Sequence, residues 1–103
     1  MMLKVLVIRP NEIPKVEWIE NNLDSFQEVV GGYIECVYPF RDNVCLICNE
    51  EGKLNGSLPN RPLFDENGDV YDIIFGTFFI VRNDDLDLTD EQIGCYATYF
   101  RLR

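Results

Sequence analysis

Residues 73–81 read Ile73-Ile74-Phe75-Gly76-Thr77-Phe78-Phe79-Ile80-Val81, the strongest strand signal in the chain. β-Branched and aromatic side chains fill it almost without interruption. Gly76 marks a bend, a bulge or the close approach of another backbone, and the half after it is expected to be central in a sheet. Upstream, Leu63-Phe64 and Val70-Tyr71 flank Asp65-Glu66-Asn67-Gly68-Asp69, whose Asn and Gly tolerate positive φ and suit a hairpin tip. Downstream, Thr89-Asp90-Glu91-Gln92 is a capping box, and Ile93, Tyr96, Ala97 and Phe100 then share one helix face. Arg101 and Arg103 suit the negative end of that helix.

The N-terminal half supplies the remaining elements. Leu3-Lys4-Val5-Leu6-Val7-Ile8 reads as a buried strand stopped at Arg9-Pro10. From Pro14, apolar residues recur at Val16, Ile19, Leu23, Phe26 and Val30, a spacing that predicts one amphipathic helix closed by Gly31-Gly32. Tyr33-Ile34-Glu35-Cys36-Val37-Tyr38 and Val44-Cys45-Leu46-Ile47-Cys48-Asn49 are expected to form a hairpin, and residues 54–62 an ordered loop. The expected architecture is α+β in the order β-α-β-β-loop-β-α: a small mixed, largely antiparallel sheet with two helices packed on it, forming a single acidic domain over residues 1–103.

The chain has 103 residues and 47% hydrophobic content, enough to close a core without staples. No apolar run approaches the roughly 20 residues that cross a bilayer. The N-terminal apolar stretch is shorter than a signal h-region and ends in Arg-Pro. A cytoplasmic, reducing setting follows as the expectation, with Cys36, Cys45, Cys48 and Cys95 as thiols. Cys45 and Cys48 have the spacing of a metal or redox motif, but positions i and i+3 of a strand face opposite sides, which favours core cysteines. A bridge from Cys36 to Cys45 or Cys48 across the hairpin stays geometrically open.

Histidine, the commonest general base, is absent. The adjacent acids Glu50-Glu51 and Asp84-Asp85 read as solvated charge rather than a catalytic pair. Asp65, Asn67 and Asp69 lack the glycine position and the distant glutamate of a calcium loop. No catalysis, cofactor or metal is expected. Eighteen acids against nine bases give a net charge of −9, which disfavours direct binding of nucleic acid. The imbalance is concentrated: residues 65–91 hold nine acids against Arg82 alone. Two acidic surfaces are expected, a helix face bearing Glu17, Glu20, Asp24 and Glu28, and a loop and helix start bearing Asp84, Asp85, Asp87, Asp90 and Glu91. Such charge either keeps a protein soluble or imitates the phosphate ladder of nucleic acid before a basic channel.

Over nearly its whole length, through Leu23-Asp24-Ser25-Phe26-Gln27-Glu28-Val29-Val30-Gly31-Gly32-Tyr33-Ile34-Glu35, Asn49-Glu50-Glu51-Gly52-Lys53-Leu54, Asn60-Arg61, Asp72-Ile73-Ile74-Phe75-Gly76-Thr77 and Leu88-Thr89, the chain resembles a small family of unknown function. That family occurs in phages, plasmids and conjugative elements, chiefly of Firmicutes. In size and pattern the chain is also similar to type II-A anti-CRISPR proteins. This likeness implies a stoichiometric inhibitor whose partner is an RNA-guided CRISPR effector nuclease or its guide complex, with the nine acids above at the interface. The alternative is a non-catalytic adaptor of a mobile element that uses the Gly-Gly-Tyr-Ile-Glu and Asn-Glu-Glu-Gly-Lys-Leu segments.

Overall fold

A computed structural model describes residues 1–102. Five strands form one sheet: β1 (Met2–Ile8), β2 (Lys15–Glu20), β3 (Ile34–Val37), β4 (Val44–Asn49) and β7 (Phe78–Arg82), in the order β2-β1-β7-β4-β3. Every pairing is antiparallel, with Leu6 opposite Ile80 and Leu46 opposite Ile80 on the other side. A second, two-stranded sheet joins β5 (Pro59–Phe64) to β6 (Val70–Phe75). The helices are α1 (Leu23–Val30) and α2 (Asp90–Tyr99). The class is α+β, as the sequence led us to expect.

Alternation of side chains divides the core in two. Leu3, Val5, Val7, Ile19, Cys45, Ile47, Phe79 and Val81 face α1, which supplies Phe26, Val29 and Val30. Leu6, Ile8, Val44, Leu46, Cys48, Phe78 and Ile80 face the opposite layer, where Leu63 and Ile74 of the small sheet meet Leu88, Tyr96 and Phe100. Because β4 and β7 are covered from both sides, their sequences are continuous apolar runs.

Three expectations change. The segment from Pro14 to Val30 is a strand and a helix, so Glu17 and Glu20 lie on β2 and only Asp24 and Glu28 share a helix face. Six residues of β2 pair with β1, from Met2 opposite Glu20 to Val7 opposite Lys15, and this ladder outweighs a helical spacing carried by only Val16 and Ile19. Asn22 then opens α1, its side chain accepting from the Ser25 amide at 2.8 Å, and Gly31 closes the helix at φ 78°.

The loop expected over residues 54–62 is a strand from Pro59 onward. Its prolines are accommodated because a two-stranded sheet has free edges, and the β5–β6 register slips near both Asn60 and Phe64. Finally, the run at residues 73–81 is divided at Gly76. That glycine has φ 79°, donates to the Leu58 carbonyl at 2.7 Å, and accepts from the Asn60 amide at 2.8 Å. The chain leaves the small sheet there and enters the centre of the large one as β7.

The hairpin tip and the second helix form as expected. The Asp65 carboxylate accepts from the Asn67 and Asp69 amides, and the Thr89–Gln92 capping box is complete. Arg101 donates to the Thr98 carbonyl at 2.8 Å, whereas Arg103 lies outside the described residues.

One buried cation joins the two ends of the described chain. Arg61, 5% exposed, donates through Nε to the Phe100 carbonyl at 2.7 Å, through Nη1 to the Asn60 side chain at 2.8 Å and the Arg9 carbonyl at 3.4 Å, and through Nη2 to the Glu12 carbonyl. Among the described residues no carboxylate pairs with it, and burial lowers its pKa.

A candidate acidic interaction surface

Antiparallel pairing places the start of β1, the end of β2 and the end of β7 at one end of the large sheet. Both helices begin there. The β7–α2 connection therefore lies beside the β2–α1 turn, and the Asn21 side chain donates to the Asp85 carboxylate at 3.0 Å to join them. Asp85 has φ 62°, a left-handed conformation that aspartate adopts more readily than most residues. Acids distant in sequence, Glu20 and Asp24 in one segment and residues 84–91 in the other, thus meet at one end. Glu17 lies away from it, opposite Val5 in the middle of the β1–β2 ladder, and Glu28 lies further along α1 but lines a concavity with Glu20.

Several of these acids have partners within the fold. Asp84 accepts from Arg82 Nε at 2.9 Å and Nη2 at 2.5 Å, which holds its carboxyl below the usual range. Asp87 accepts from the Lys4 amide at 2.9 Å, while the Leu88 amide donates to the Lys4 carbonyl, so this connection continues the pairing along β1. Glu20 pairs with the Met1 amino group at 2.9 Å. Glu17 pairs with Arg9 at 2.5 Å, and the same hydrogen bond lowers the pKa of the glutamate. Asp90 lies 3.9 Å from Lys4 Nζ with its side chain fully exposed. Asp24, Glu28 and Glu91 make no side-chain hydrogen bond or ion pair among the described residues. Asp24, Asp90 and Glu91 occupy first helical turns, where the helix dipole favours negative charge.

Beside this end, Asp42 receives the Tyr96 hydroxyl, the Gln92 amide and its neighbour's backbone amide. Tyr96 chiefly holds the Asp42 carboxyl below its ordinary range, while burial pushes the tyrosine pKa upward. These groups pin α2 to the β3–β4 connection.

A concave region lies between β4 and β6, with a volume of about 340 Å³ and a lining that includes Glu35, Cys48, Glu50, Lys53 and Asp72. Lys53 and Asp72 pair at 2.6 Å within it. Cys48 approaches the Glu35 carboxylate at 3.8 Å, and burial followed by that negative charge pushes its thiol up to about 12. Such a thiol is held protonated, the opposite of an activated nucleophile. Gly32 and Gly52 have a packing role nearby: a Cβ on Gly32 would meet the Asn49 amide at 2.8 Å, and one on Gly52 the Phe75 carbonyl at 2.6 Å. Asn49, buried, ties the two segments by donating to Val30 and accepting from Glu51.

All four cysteines are free. Cys45 lies in the α1-side core and Cys48 in the other, as strand alternation requires. Burial pushes Cys45 up to about 11. Alkylation of the native protein at pH 8 should therefore add two groups, on the exposed Cys36 and Cys95, and four in urea, read by intact mass. Three or more rapid native adducts would contradict the burial of the central pair.

The family model for a domain of unknown function, DUF3846, matches residues 3–101. The chain belongs to this family. Searches of curated proteins and of solved structures give no match. The DUF3846 match extends from β1 to just past α2 and so includes both layers flanking the large sheet and the acidic end. No helix of the described DUF3846 domain is long and apolar enough to cross a membrane.

Sequence reasoning had selected the acids at this end but not the groups that organise them. Asn21, Lys4 and Trp18 were missed. Only the pairing of β1 with β2 brings Lys4 opposite Trp18, and only the folded loop brings Asn21 to Asp85.

Proposed function

We propose that the chain is a non-catalytic, stoichiometric inhibitor of a type II RNA-guided CRISPR nuclease. Its acidic end would occupy the positively charged channel in which such a nuclease holds nucleic acid. The observation that carries this reading is the Asn21–Asp85 contact, which gathers two separate acidic segments at one end of a protein with a net charge of −9. A field of that sign accelerates encounter with a basic groove and repels nucleic acid itself. The likeness to anti-CRISPR proteins and to a mobile-element family supports the same reading.

The test is DNA cleavage by a reconstituted type II nuclease and guide, titrated with this protein at two salt concentrations. Cleavage should stop near equimolar protein and recover with added salt beyond the nuclease's own response. The informative substitutions are Asp24→Lys, Asp90→Lys and Glu91→Lys, because Asp84, Asp85 and Asp87 also hold the loop together. The triple variant should remain folded and lose at least about tenfold in potency, equivalent to about 1.4 kcal/mol. Full potency in a folded triple variant would remove the charge mechanism. Failure of the wild-type protein against several type II nucleases would favour the adaptor reading.

A further inference from the structure

We infer that Trp18, together with Asp90, forms a docking site for an arginine side chain of a basic protein partner; this rests on the inhibitor reading and supplies its anchor. Trp18 is the only tryptophan in the chain, and it is 54% exposed in the middle of an edge strand. Alternation along β2 turns Ile19 into the α1-side core and places Val16, Trp18 and Glu20 on the other face. On that face Val16 and Met2 are also exposed, so the indole belongs to an uncovered apolar edge.

The surroundings of the ring specify the occupant. Lys4, opposite Trp18 in the β1–β2 register, holds its Nζ 5.7 Å from the ring centroid. The same ammonium lies 3.9 Å from the Asp90 carboxylate. Ring and carboxylate already share one cation, and both are exposed enough for an incoming cation to take the place of the Lys4 ammonium between them. A guanidinium satisfies both, lying flat on an indole while donating paired hydrogen bonds to a carboxylate. A nucleobase would stack equally well on tryptophan, but it brings a phosphate that this acidic surface repels. Aromatic anchors beside charged rims are the usual seat of interface affinity, and Trp18 adjoins the acidic end through Lys4.

The experiment has two arms, each with its own readout. In the first, the isolated protein is titrated with nona-arginine and, separately, with nona-lysine. Both peptides lack indole, so emission reports Trp18 alone. Nona-arginine should shift and quench that emission at lower concentration than nona-lysine; an equal response to the two, or none, overturns the guanidinium assignment. In the second arm, Trp18→Ala is compared with wild type in the cleavage assay, beside Asp90→Asn, whose exposed side chain can be changed without entering the core. Trp18→Ala should lose at least about tenfold in potency, with a smaller loss for Asp90→Asn. If wild type inhibits and both variants retain full potency, this inference falls while the inhibitor reading survives. If wild type does not inhibit at all, the inhibitor reading falls, and with it the proposed partner.

Discussion

Arg61→Met is expected to lower folding stability by about 3 kcal/mol or more, although methionine nearly preserves the volume of the arginine stem. The loss comes from the acceptors left behind. Phe100 presents a buried carbonyl to the guanidinium, and a buried acceptor without a donor costs about 1–3 kcal/mol, while the Glu12 carbonyl, on an exposed residue, adds less. Removing the cation also relieves its own desolvation, which no carboxylate among the described residues offsets, so the net effect is smaller than a sum over four hydrogen bonds. In urea, a slope of about 1–1.5 kcal/mol per molar converts this loss into a midpoint lower by about 2 M or more. A midpoint within a few tenths molar of wild type would show that the donors contribute little and that Arg61 acts as apolar filler. The substitution should act on both ends of the described chain, because residues 9–12 and Phe100 lose the same tie.

Phe79→Ala should be of similar or greater size, about 3–5 kcal/mol, against the roughly 5–10 kcal/mol that holds a domain of this length together. Phe79 is fully buried in the central strand β7, with its ring edge-on to Phe26 of α1 at 5.2 Å. Its removal leaves a cavity beneath a helix of only eight residues, too short to persist without tertiary packing. Far-UV circular dichroism should therefore lose amplitude along with the fall in urea midpoint, and Phe79→Leu should recover most of both. Full stability in Phe79→Ala would mean that α1 is held chiefly by its caps and not by this ring. The neighbouring Phe78 points into the other core against Phe100 at 5.1 Å, so the corresponding change there should loosen α2 instead.

These residues also show which parts of the fold were legible beforehand. β7 and β4, covered on both faces, leave continuous apolar runs that survive any uncertainty of register. The start of α2 is written locally in Thr89 and Gln92. β2 was not legible because its apolar positions fit a helical period as well as a strand, and the pairing with β1 that settles the matter is a tertiary fact. Gly76 announced a bend, but a change of sheet depends on Leu58 and Asn60, more than ten residues upstream. At the candidate surface, charge was legible and availability was not: Asp84 and Asp87 have contacts within the fold that spacing does not reveal. Exposure of Trp18 follows only from its place on an edge strand.

The position of β7 carries a further consequence, for biosynthesis. Among the described residues it is the last strand to be made and the only strand that pairs with both the β1–β2 and the β3–β4 hairpins, joining Leu6 on one side to Leu46 on the other through Ile80. Until it leaves the ribosome, those hairpins have no common sheet, and their unpaired inner edges stay open to other nascent chains. Closure then waits on pairing between residues as distant in sequence as Leu6 and Ile80, a topology that folds slowly for its size.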